Sequence, residues 1–190
     1  MRLRPWVPAV AWMVVILALS TDSASSENTG RFLLPALRFV WPTASPLLME
    51  TLHGVIRKLA HVTEYAVLAG LWYRALAVER RSPPAAGIAL ALSVVWAGID
   101  EAWQTLTPSR TPSLVDVAID AGGALLASVG ALEWPRVVDV VTSTLLWAAT
   151  IVGCAALAIN GLGGVASGTL WVTTSAAILA VAARSRTSWG

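Results

Sequence analysis

Apolar residues gather into six runs, at 6–20, 59–78, 85–106, 114–132, 140–159 and 168–183, with polar breaks between them. A helix needs about 20 mostly apolar residues to cross a bilayer. The pattern therefore predicts an all-α fold: a polytopic integral membrane helical bundle of about six spans. The first and last runs are short. The first also reads as a signal peptide, because Arg2 and Arg4 precede a compact apolar core and Ala18-Leu19-Ser20 resembles a cleavage site. Trp6 and Trp12 suit a span better than a signal core. The third run carries Asp100, Glu101 and Gln104 near its end, and the fourth opens with Asp116 and Asp120. Both serve as spans when those groups face the bundle interior or lie near the membrane surface.

The stretch 21–56 is more than a linker. Phe32, Leu33, Leu34, Leu37, Phe39, Val40 and Trp41 suit a segment lying in the membrane interface. Ser45 followed by Pro46 reads as an N-cap and first helical residue, so a helix is expected to start there and run into the second span. The last two spans hold little polar chemistry, with Gly161, Gly163 and Gly164 between them. The chain thus divides into a helical core at 1–135 with a polar site, and a C-terminal transmembrane hairpin at 136–190.

Composition agrees with the pattern. Of 190 residues, 56% are hydrophobic and 13% charged, against roughly 25% charged in a soluble domain. Mean hydropathy is +0.69. A soluble globular domain, a disordered tail and a nucleic-acid binder are all excluded. The single Cys154 permits no intrachain disulfide. Net charge is +2 and the pI 9.2, consistent with cytoplasmic loops that meet anionic lipid. Positive residues set the orientation. With both termini cytoplasmic, the inner segments hold Arg2, Arg4, Arg74, Arg80, Arg81, Arg136, Arg184 and Arg186. The outer ones hold Arg31, Arg38, Arg57, Lys58 and Arg110.

That topology gathers charge on one side. Eight of the eleven acidic residues fall in outer loops or outer halves of spans, and Glu79, Glu133 and Asp139 lie on the inner side. Glu64, Asp100, Glu101, Asp116 and Asp120 sit near the outward ends of spans two to four, joined by His61, Arg57, Lys58, Gln104 and Arg110. At helical spacing His53, Arg57, His61 and Glu64 occupy a stripe about 80° wide, with Tyr65 beside it. Asp100 and Gln104 share one helix face, as do Asp116 and Asp120. A charge at the bilayer centre costs about 2.5–3.5 kcal/mol, and less near the interface. So many polar groups predict a pocket. Plainer roles exist for each: Ser113 and Asp116 as a capping box, Arg57 and Lys58 as snorkelling anchors, and His61 with Glu64 as a satisfied buried pair. No phosphate loop, HExxH, paired CxxC or nucleophile elbow is present. His61-x-x-Glu64 supplies two of the ligands a divalent cation would need.

The polar segments resemble a known family. Arg57-Lys58-Leu59-Ala60-His61-Val62-Thr63-Glu64-Tyr65 resembles the RK-x-x-H-x-x-E-Y segment of VanZ-like membrane proteins. Asp100-Glu101-Ala102-Trp103-Gln104 is similar to that family's DE-x-x-Q segment, and Pro108 to Asp116 to its P-G-R-x-x-S-x-x-D segment. Ser20-Thr21-Asp22 is similar to a further signature. Ser109 stands where the family has glycine, and Asp120 where it commonly has Asn. The resemblance implies a bacterial cell-membrane protein of the envelope, in a family named for resistance to the glycopeptide teicoplanin. It supplies no reaction.

Three functions are open on these residues. In the first, a membrane-embedded site facing outward acts on an envelope lipid or lipid-linked wall precursor. Arg57, Lys58 and Arg110 would hold its anionic group, with Tyr65, Gln104 and Asp120 also lining the site. His61 would be general acid or base, Glu64 would orient it, and Asp100, Glu101 and Asp116 would bind a divalent cation or share the proton work. In the second, the protein binds or shields the precursor without chemistry. In the third it is a small transporter, which would need polar groups continuing to the inner side.

Overall fold

The computed structural model describes residues 5–21, 26–77, 81–106 and 113–185, and its regular structure there is all helical. The order is α1 (Val7–Leu19), α2 (Ser26–Val40), α3 (Pro46–Leu76), α4 (Pro83–Gln104), α5 (Leu114–Glu133), α6 (Pro135–Gly163) and α7 (Leu170–Ser185). The helices begin where local chemistry dictates. Proline occupies the first turn of α3, α4 and α6, where its missing N–H is no loss. The Ser45 side chain accepts a hydrogen bond from the Leu48 N–H at 3.2 Å, as its place before Pro46 predicts. Gly164 ends α6 in the left-handed region, at φ 66°, where the Val165 N–H reaches back to the Asn160 carbonyl at 2.8 Å.

Among the described residues, three helices are long and apolar enough to cross a membrane: α4, α5 and α6. Helices α1 and α7 are apolar but shorter, at 13 and 16 residues. Helix α3 has 31 residues, about 46 Å at 1.5 Å per residue, and carries charge through its first half. The stretch 21–56 therefore contains α2 and the first three turns of α3. At the end of α2, Phe39 and Val40 are exposed, with Trp41 beyond them.

Successive helices α3 to α7 reverse direction across short connections. Helix α5 packs most extensively on α3, α4 lies against both, and α7 packs on α1 and α6. The C-terminal pair is thus tied to the first helix as well as to itself. Tyr65, Leu68 and Leu71 of α3, Ile16 of α1 and Leu146 of α6 fill the core. Buried alanines of α4 and α5, among them Ala89, Ala97, Ala124 and Ala131, let backbones approach. Close packing of small residues is the main source of helix association where lipid replaces water. Large apolar side chains such as Leu126, Val129, Ile151 and Val152 point outward, as lipid-facing surfaces require.

Candidate functional site

The seam between α3 and α5 positions the central pair. A Cβ at Gly123 would collide with the Val62 backbone carbonyl, so only glycine lets α5 lie this close to α3. Asp120, one turn earlier on α5, is thereby set beside His61. His61 Nδ1 lies 3.2 Å from Asp120 Oδ1, with Asp120 fully buried and His61 partly open. The two atoms are within ion-pair range but not aligned in a hydrogen bond, and each is buried without a hydrogen-bond partner. The sequence reading gives Glu64 the orienting role; the nearby carboxylate in the structure is Asp120. Since Nδ1 faces Asp120, Nε2 is the nitrogen left to meet a ligand.

A second carboxylate completes this cluster. Asp100, one turn from the end of α4, is 1% exposed. Gln104 Nε2 donates to Asp100 Oδ2 at 3.4 Å, realising the spacing-of-four pair. The Tyr65 hydroxyl faces the same carboxyl, and Ser20, buried at the end of α1, stands beside it. Asp100 Oδ1 and the Tyr65 hydroxyl are also buried without hydrogen-bond partners. Native interiors satisfy the great majority of such atoms. Four such atoms converge from α3, α4 and α5 as two facing pairs, His61 with Asp120 and Tyr65 with Asp100. At 1.5 Å per residue the cluster sits about 6–9 Å inside the ends of α4 and α5.

The remaining expected residues divide. Glu101 turns to structure: its Oε1 accepts a hydrogen bond from the Ser113 backbone N–H. The Ser113 side chain in turn accepts from Val115 N–H at 3.2 Å. In a capping box the residue at Asp116 would reach back to that Ser113 N–H; Glu101, from another helix, does so here. Asp116 is half-buried in the first turn of α5, where the helix dipole favours its charge. Glu64 lies on the neighbouring face of α3, lining an apolar groove of about 470 Å³ with Trp12, Val15, Val67, Ala149 and Thr174. The Trp12 indole N–H donates to the Glu64 backbone carbonyl at 2.9 Å. Arg57 is half-buried and Lys58 exposed, one turn before His61. Arg110 lies outside the described residues. Among the described residues no three His, Cys, Asp or Glu side chains converge as a metal set.

One cluster escapes the sequence reading. At the opposite end of the bundle, Arg74 of α3 and Arg184 of α7 both bind Asp139 Oδ1 of α6. These residues come from three helices and share no motif, so no local spacing announces them. The end of the bundle remote from His61 thus carries buried charge of its own.

No curated protein and no solved structure matches this chain. The VanZ/LLP1 family profile does, over residues 6–134, which takes in α1 to α5 and every residue of the polar cluster. Helices α6 and α7 lie beyond that stretch, although α7 packs against α1 within it. On a match spanning more than half its length, the chain belongs to the VanZ/LLP1 family.

Proposed function

We propose that this is a six-span bacterial cell-membrane protein, with both termini cytoplasmic, whose His61–Asp120–Asp100 cluster faces outward and receives the head of an envelope lipid or lipid-linked wall precursor. One observation carries the reading: the same stretch of α3 gives His61 to the buried polar cluster and Glu64 to the wall of an apolar groove of about 470 Å³. An amphiphile needs both surfaces side by side. Arg57, one turn before His61 on α3, supplies a guanidinium fork suited to a phosphate or carboxylate. The link to glycopeptide resistance, including teicoplanin, follows from the family.

If the site is catalytic, His61 Nε2 moves the proton and Asp120 holds the imidazole in orientation, the division of labour that His–carboxylate pairs use elsewhere. A second reading is a binding or shielding role without chemistry. The engagement of Glu101 with Ser113 and of Gln104 with Asp100 favours it, because those groups already serve the fold. A transporter is the third and least supported.

Single replacements His61→Gln, Asp100→Asn and Arg57→Gln, at matched expression, separate these readings by lipid-extract composition and teicoplanin susceptibility. For a catalyst, a lipid species that changes with the unaltered protein is lost in His61→Gln. For a shield, the lipid extract is unchanged and resistance falls only in Arg57→Gln. A chain whose resistance and lipids survive all three replacements refutes the outer site.

A further inference from the structure

The cluster at the other end of the bundle has the features of a second, separate site. A cavity of about 240 Å³ opens there between α3, α6 and α7, lined by Arg74, Asp139, Ser143, Trp147, Arg184 and Ser185. Both arginines are anchored rather than loose. Arg184 is 7% exposed and its Nη2 donates to both the Asp139 backbone carbonyl and Oδ1, each at 2.7 Å. Arg74 Nη1 donates to the same carboxyl oxygen. Each guanidinium carries five donors, and both groups line the cavity while held at Asp139. Ser143 and Ser185 add hydroxyls, and Trp147, half-exposed on the outer surface of α6, stands at the rim.

Held guanidinium forks with flanking hydroxyls match the oxygens of a phosphate group. The position adds direction. The cavity lies at the helix ends shared with exposed Arg81 and Arg136, and basic pockets between helices on that side of a membrane suit anionic headgroups. We infer that the Arg74–Asp139–Arg184 cavity is a phosphate-binding site for the headgroup of an anionic phospholipid, distinct from the outer cluster. It does not depend on what the outer cluster binds.

The test uses the full-length protein, purified in neutral detergent and melted with phosphatidylglycerol, with phosphatidylcholine of the same chains, or with inorganic phosphate. Phosphatidylglycerol at a hundredfold excess over its Kd should raise the melting temperature by about 5–10 °C, and phosphatidylcholine should not. Arg74→Gln should abolish the shift. Ser143→Leu, which fills the cavity and leaves the ion cluster in place, should abolish it also and carries the test should Arg74→Gln fail to fold. A shift with inorganic phosphate alone, lost in the same variants, supports the phosphate site and transfers its source to the free anion. Equal shifts with both lipids, no shift with either anion, or an undiminished shift in Ser143→Leu overturns the proposal.

Discussion

Glu101 shows how one carboxylate can serve the fold from inside a polar cluster. Its acceptance of the Ser113 N–H joins the end of α4 to the start of α5, across residues 107–112. The consequences separate by atom type. Glu101→Gln keeps an acceptor oxygen and should melt within about 0.5 kcal/mol of the unaltered chain. Glu101→Ala leaves a part-buried N–H without its acceptor and should cost about 1–2 kcal/mol. Thermal melts in detergent distinguish them; equal losses would show that the Glu101 charge, not the hydrogen bond, is what stabilises the junction of α4 and α5. At this scale the sequence was informative about residue types and poor about partners. His61, Asp100 and Asp120 were legible as members of one cluster because their spacing puts them on helix faces near a common end. That His61 meets Asp120 rather than Glu64 was not legible. The choice turns on the rotation of α3 about its axis, which its neighbours set.

At the level of helices, the seam of α3 and α5 decides the site. Two adjacent glycines make a contrast. Gly123 has the Val62 backbone against it, whereas nothing lies within 4 Å of a Cβ at Gly122. Gly122→Ala should stabilise α5 by about 0.5–1 kcal/mol through helix propensity alone. Gly123→Ala must instead push the helices apart, at a cost of at least about 1–3 kcal/mol. It should also separate His61 from Asp120. Melting curves of the two variants check this directly, and a stable Gly123→Ala protein would mean that the seam is looser than its geometry. The helices themselves were readable from sequence: Ser45-Pro46 starts α3, and apolar runs mark α4, α5 and α6. The helix expected to start at Ser45-Pro46 and run into the second span is realised as α3, whose charged first half buries Met49 and His53.

For the whole molecule, orientation determines which cluster meets which side. In a Cys154→Ala background, Leu106→Cys marks the end of α4 and Arg136→Cys the start of α6, both at exposed positions. With termini inside, a membrane-impermeant thiol reagent added to intact cells should label the first and not the second until the membrane is broken. The reverse pattern inverts the topology, moving the His61 cluster to the cytoplasmic side and the arginine cavity to the outside.

Sequence alone determined that this chain is helical and suited to a membrane, because the cost of exposing polar backbone to lipid leaves few alternatives to apolar helical runs. It also determined the family and the residue types of the His61 cluster, since these are carried by short segments whose spacing is local. Tertiary structure alone decided the pairings. The close approach at Gly123, the capture of Ser113 by Glu101, the apolar groove beside Glu64 and the union of Arg74, Asp139 and Arg184 each join residues far apart in the chain. Such contacts depend on how helices rotate and cross. That is fixed by the packing of many side chains at once, and no single segment records it.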